Sequence, residues 1–204
     1  GSPLNVDANK FAYQPSLAID KSGVPSVAWE EDGTASRNIY VKRWNGSSWD
    51  TLGTSGILHA SGPQLAIGDN GKPVLAYLKC VSGDDFNCTN QDLYVARREM
   101  VVINNFLTVI WNTLGQTLES NASWSPRNPR LAVYNNEPVV TWLEGSGYIY
   151  VKRHGQLCLR TGCSPVWWEL GKGSGYAHAL SLGINSAGEP IIAYTACEGN
   201  TDLC

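Results

Sequence analysis

Charge is scarce in this sequence. Only 16% of its 204 residues are Asp, Glu, Lys or Arg, against roughly a quarter in an ordinary soluble domain. Neither sign prevails. Fifteen basic and 18 acidic residues leave a net charge of −3 and a pI near 5.6, which gives nucleic acid nothing to hold. No apolar run approaches the roughly 20 residues of a membrane-spanning helix, so no membrane insertion is expected. A P-loop, a dinucleotide-binding glycine fingerprint, a Ser-His-Asp set and a Cys-x-x-Cys pair are all missing. His59, His154 and His178 are the only histidines and stand far from the cysteines in the chain's repeat pattern. Asp84 and Asp85 are too few for calcium, which wants about six to eight oxygens. No metal and no cofactor is expected.

What is present points to β structure. The chain holds 21 Gly, 10 Pro, 8 Trp and 9 Tyr, and turn-forming and aromatic residues favour strands joined by tight turns. One hairpin recurs four times: Pro15 to Trp29, Pro63 to Tyr77, Pro129 to Trp142 and Leu180 to Tyr194. Two apolar strands flank a turn rich in Asp, Asn and Gly, and Pro25, Pro73, Pro138 and Pro190 open the second strand. Gly23, Gly71 and Gly188 suit the positive φ of such a turn. Because the strands do not alternate polar with apolar residues, both their faces are expected to be buried.

A second module follows the first three hairpins. It reads Ile39-Tyr40-Val41-Lys42-Arg43 then Trp49-Asp50-Thr51-Leu52-Gly53, and again Leu93 to Arg97 then Trp111 to Gly115. The third copy is Ile149 to Arg153 then Trp168 to Gly171. Each unit thus has four strands, A to D, and the hairpin prolines recur 48, 65 and 52 residues apart (25 to 73, 73 to 138, 138 to 190). That is the period of β-propeller blades. The expected fold is all-β: a β-propeller fragment of four-stranded antiparallel blades, about three and a half of them. Residues 1–8 end a preceding D strand, 15–54 form blade 1, 63–117 blade 2, 129–173 blade 3, and 179–204 strands A and B of blade 4. Since propellers close with about four to eight blades, the remaining blades or a second chain are expected to complete the ring.

The blade pattern, its D-x-x-G-x-P hairpin turn (Asp20 to Pro25) and the Trp44-Asn45-Gly46-Ser47-Ser48-Trp49 turn between C and D resemble those of bacterial secreted β-propellers. These are the sialidase-like (Asp-box, or BNR) and lectin-like propeller proteins. The resemblance covers essentially the whole chain. It implies a secreted β-propeller fold. The Asp-box form Ser-x-Asp-x-Gly-x-x-Trp is replaced here by Asn45-Gly46-Ser47-Ser48-Trp49.

Six cysteines allow 15 pairings, of which one respects the repeat: Cys80 with Cys88, Cys158 with Cys163, and Cys197 with Cys204. Disulfides imply an oxidising compartment, hence secretion or the extracellular surface, with the periplasm as an alternative. Asn45, Asn87 and Asn121 sit in N-x-[ST] sequons.

Repetition also sorts the candidates for chemistry. Arg43, Arg97 and Arg153, the tyrosines at 40, 94 and 150, and Trp49, Trp111 and Trp168 recur blade by blade, so packing explains them. Residues outside the repeat are better candidates for binding: Tyr13, Glu31, Asp32, His59, Trp124, Glu144, Tyr176 and His178. Paired carboxylates such as Glu31 and Glu144 are what glycoside hydrolysis needs; a solvated acidic loop is the plainer reading. Aromatics beside polar groups suit sugar stacking and protein contact. Sealing the ends of the core would need the same residues. The leading expectation is a non-catalytic secreted or surface module that recognises a glycan or a surface protein, as an adhesin does. A sialidase-like hydrolase or lyase with its site in the central funnel, and a structural segment of a larger adhesin or pilus-type assembly, are the alternatives. The long insertion from Arg98 to Ile110 stands apart as an apolar C–D hairpin extension.

Overall fold

The computed structural model describes residues 3–34, 36–53, 56–160, 162–173 and 175–196. Among them there is no helix. Sheet 1 is antiparallel β1 (Ala12–Ile19), β2 (Pro25–Asp32), β3 (Arg37–Trp44) and β4 (Trp49–Thr51), with β5 (Ile57–Leu58) pairing on the far half of β3. Sheet 2 is β6 (Ala60–Ile67), β7 (Pro73–Ser82), β8 (Asn90–Ile103) and β9 (Phe106–Thr113). Sheet 3 is β10 (Arg127–Tyr134), β11 (Glu137–Glu144), β12 (Tyr148–Leu159) and β13 (Gly162–Lys172). A last hairpin of β14 (Ala177–Ile184) and β15 (Pro190–Ala196) forms sheet 4.

The turns follow from local chemistry. Asp20 accepts the Ser22 and Val24 amides, Asn185 accepts those of Ala187 and Glu189, and Gly23 and Gly188 take the left-handed backbone between them. In sheet 3 the turn is one residue shorter, and Asn135 and Asn136 both adopt positive φ, as a two-residue hairpin turn requires.

Successive sheets stack face to face, and their first strands β1, β6, β10 and β14 lie side by side. Among the described residues the stack does not close on itself. Each interface is an apolar layer. Ala28, Ile39, Val41 and Leu52 of sheet 1 meet Leu65, Leu75, Tyr77 and Ala96 of sheet 2. Val74, Ala76, Leu93 and Val95 on the other face of sheet 2 meet Val140, Trp142 and Tyr150 of sheet 3. Val139, Leu143, Ile149 and Val151 meet Leu180, Leu182 and Ile192 of sheet 4. The outer faces differ from expectation: Leu17 and Ile19 of β1 are each 61% exposed and Ile191 of β15 is 60% exposed, because no sheet of the described residues lies against them.

Two further points correct the sequence reading, and a third bears out part of it. Residues 3–10 form no strand. Asp7 caps the Asn9 amide, its carbonyl accepts from Lys10, and Glu31 holds the amides of Val6 and Asp7, so the segment turns. The tryptophan equivalent to Trp49 and Trp111 is Trp167, not Trp168. Trp49 pairs with Trp44, Trp111 with Arg98 and Trp167 with His154, and a bulge between Val151 and Lys152 supplies the extra residue. Trp111 and Trp167 then make the same bond, each indole N–H donating to the leucine carbonyl that ends the preceding sheet, Leu52 or Leu114. Finally, the Cys80–Cys88 and Cys158–Cys163 disulfides are present, whereas Cys197 and Cys204 lie outside the described residues.

Candidate functional site

The first strand of each complete sheet begins with the same irregularity. Gln14, Gly62 and Asn128, each directly before a proline, have φ of 49°, 61° and 51°. The strand register shifts there, between Tyr13 and Ser16, Ser61 and Gln64, and Arg127 and Arg130. Such a bulge inserts one residue and re-aims its neighbours. Left-handed backbone in Gln14 is strained, because L side chains disfavour it and a following proline restricts it further. The three bulges gather polar side chains where the first strands converge. A cleft of about 250 Å³ is lined there by Gln14, Gln64, Gln91, Arg127 and Arg130, among others.

Both arginines of the cleft are held by backbone carbonyls. Arg127 donates to Gly145 O at 2.8 Å, and Arg130 to Leu180 O and Pro129 O, each at 2.8 Å. Among the described residues neither meets a carboxylate, so both guanidinium charges remain uncompensated. Gln91 is fixed by Pro126 O at 2.9 Å.

Ser61 and Gln91 also line a smaller recess beside the cleft, shared with Arg37, His59, Asp85 and the Cys80–Cys88 disulfide. Here an ionic cluster assembles. His59 Nδ1 lies 2.8 Å from Asp85, whose carboxylate also accepts the Arg37 amide at 2.9 Å. The Arg37 guanidinium lies 3.4 Å from Asp32 and 3.6 Å from the buried Glu30, and it covers the Tyr13 and Phe86 rings. Tyr13 donates to Asp32 at 3.2 Å. Desolvation and then this acidic partner push the Tyr13 phenol above its ordinary range. Asp85 reaches across from the disulfide-closed loop of sheet 2 and ties that loop to sheet 1. Thus Tyr13, Asp32 and His59 come together, around an arginine that the repeat had not flagged. An Arg placed five residues after Asp32, at the start of strand C, was the available signal.

Trp124 and Tyr176 lie beyond the other end of the cleft. Trp124 stacks on Tyr148 at 6.4 Å and packs over Gly145, the residue whose carbonyl holds Arg127. Tyr176 donates its amide to Ser146, and the His178 carbonyl accepts from Asn128.

Glu31 and Glu144 are elsewhere, and they are equivalent to each other. Each sits two residues after a strand-B tryptophan, is at most 2% exposed, and accepts that indole N–H: Trp29 at 2.9 Å and Trp142 at 2.8 Å. Each also binds two backbone amides of the loop leading into its sheet, Val6 and Asp7 or Ser120 and Asn121. A lysine completes the arrangement. Lys42 lies over the Trp29 ring and donates to Leu4 O, while Lys152 lies over Trp142 and donates to Leu118 O. Neither glutamate is part of a solvated loop. In sheet 2 all three partners change together, to Tyr77, Lys79 and Ala96. The Trp-x-Glu and Val-Lys spacings, present twice, were the signal for this latch.

A separate acidic group surrounds Asp92. Its carboxyl is raised by burial and then by the nearby Glu119 charge, and it is hydrogen-bonded to Tyr94, whose phenol is raised as well.

No protein-family model matches this chain, and no curated protein does. Solved structures with a weak likeness include MPT-1, a GDP-Man-dependent mannosyltransferase from Leishmania mexicana, at 9% identity over 92% of this chain and 69% of that one, with a TM-score of 0.41. A protein of unknown function from Dyadobacter fermentans shows 10% identity over 92% and 76%, at 0.41. Trypanosoma rangeli sialidase in complex with the inhibitor DANA shows 12% identity over 92% and 35%, at 0.44. At these scores the likeness carries no argument about activity.

Proposed function

We propose that the sheets are consecutive blades of a β-propeller and that the chain is a non-catalytic, secreted or surface-exposed module that recognises a glycan through the cleft between Tyr13 and Trp124. One observation carries this reading. Arg127 and Arg130 sit in a polar cleft beside Gln14, Gln64 and Gln91 with their charge unmatched by any described carboxylate. Amides and guanidinium groups fixed by backbone carbonyls match the vicinal hydroxyls or carboxylate of a sugar, and exposed aromatics flank the cleft for stacking. The latched state of Glu31 and Glu144 supports a binding role over catalysis, since three N–H donors occupy each carboxylate. The two disulfides are compatible with an extracellular location.

The test is a glycan array followed by calorimetry. Arg127→Ala and Gln91→Ala are expected to weaken binding at least about tenfold each, the loss of one charge-assisted or well-placed hydrogen bond. An array with no ligand, alongside capture of a surface protein through the same cleft, replaces glycan with protein as the partner. A hydrolase reading draws on Asp92, a carboxyl held above its ordinary range beside Glu119. It requires turnover of an aryl glycoside that Asp92→Asn abolishes.

The propeller reading also says what covers sheet 1. Leu17 is 61% exposed, while its equivalent Leu65 is 6% exposed beneath sheet 1. Among the described residues Trp49 makes no bond like those of Trp111 and Trp167. A further blade, from the same polypeptide or a second chain, supplies the missing aliphatic layer and leucine carbonyl.

A further inference from the structure

At the end of the molecule opposite the cleft, the β8–β9 hairpin runs past its sheet. β7 pairs with β8 only as far as Arg97, so residues 98–103 and their partners on β9 form a two-stranded ribbon. Residues 100–110 contain no charge and no proline. Met100 pairs with Val109 and Val102 with Leu107, which puts these four side chains on one face; Ile103 and Phe106 share the other. Exposure of these six runs from 39% at Val109 to 75% at Phe106. Counted over both faces they hold on the order of 500 Å² of apolar surface, at the upper end of the roughly 300–600 Å² patch of a typical soluble monomer and short of the roughly 800 Å² that one partner gives to a standard interface.

We propose that this ribbon is a self-association surface, and that it docks on the same ribbon of a second copy. Two comparisons single out that occupant. The ribbon has a free strand edge on each side, and hydrocarbon cannot satisfy unpaired N–H and C=O groups, which disfavours lipid; a second strand pair can satisfy them. The corresponding extension of sheet 3, β12–β13, carries Arg160, Pro165 and the Cys158–Cys163 disulfide, features that blunt an edge. Residues 100–110 of the sheet 2 ribbon have none of these, and an uncharged aliphatic face is complementary to itself across a two-fold axis.

Sedimentation velocity over a concentration series tests this. The chain is expected to dimerise reversibly, and Val102→Lys/Leu107→Lys to be monomeric with an unchanged circular dichroism spectrum. The milder Val102→Thr/Leu107→Thr pair, which keeps β propensity, is expected to weaken association at least about tenfold and guards against misfolding of the lysine variant. Glycan binding at the opposite end stays the same in both variants. A wild-type monomer at all concentrations overturns the proposal. So does a dimer that persists in both variants, which assigns association to another surface such as sheet 1, or a ribbon-dependent attachment to phosphatidylcholine vesicles by a chain that stays monomeric.

Discussion

Replacing Glu144 by alanine tests the latch that pins the loop before sheet 3. The carboxylate accepts Ser120 N at 3.0 Å, Asn121 N at 2.7 Å and Trp142 Nε1 at 2.8 Å. Hydrogen bonds to a charged group contribute about 1.5–3 kcal/mol each. The Ser120 and Asn121 backbones lie at the surface and regain water when the carboxylate is removed, whereas the Trp142 indole is fully buried and its N–H is left unpaired. The net loss is therefore set mainly by one orphaned donor and the cavity beside it, about 3 kcal/mol. For a chain of this size that corresponds to a fall in Tm of roughly 6–12 °C. Lys152→Met removes the bond to Leu118 O in the same network, and the double variant is expected to cost less than the two losses combined. Urea unfolding gives the energies, and hydrogen exchange at Ser120 and Asn121 gives the local effect. If Glu144→Ala leaves stability within about 0.5 kcal/mol of wild type, as an ordinary surface substitution does, and those amides exchange no faster, the carboxylate is not a structural latch.

The disulfides separate the two ends of the molecule. Replacing Cys80 and Cys88 with serine releases the loop carrying Asp85 and is expected to weaken glycan affinity, whereas the same change at Cys158 and Cys163 leaves affinity intact in the same titration. Asp20 is held below the ordinary carboxylate range, first by the Val24 amide and with help from Arg43. Its folded state binds the proton less readily than the unfolded chain, so its stabilisation is present at neutral pH and lost as pH falls through the depressed value. Asp20→Asn is therefore expected to flatten the acid limb of the Tm–pH curve. Arg37→Ala should free Tyr13 and Asp32, which meet the guanidinium, and leave His59 on Asp85, because the Arg37 backbone amide that holds Asp85 is kept. A shift of the Tyr13 ring resonances with His59 unchanged is expected, and an unchanged Tyr13 would contradict the guanidinium contact.

The strands and turns were legible because each hairpin repeats its own local chemistry. Asp20 and Asn185 mark turns that the structure closes through the same side-chain oxygen. The equivalence of Trp167 was hidden by a bulge, since one inserted residue moves every later position out of alignment. Glu31 looked non-repeated because Glu30 and Asp32 flank it and because sheet 2 carries Lys79 at the matching position. The cleft was the least legible part. Gln14, Gln91, Arg127 and Arg130 come from strands of separate units, and their convergence depends on how sheets stack, which no local pattern encodes.

The latch absent from sheet 2 has a consequence for how this molecule can change. Loops before sheets 1 and 3 are tied to their own cores, so altering their length disturbs a buried carboxylate. The segment before sheet 2 has no latch of this kind; it is held by the pairing of β5 with β3 and by His59 against Asp85, on a neighbouring loop at the surface. The exposed His59 position can change in composition without disturbing a latch glutamate. It is the natural place for new specificity to arise.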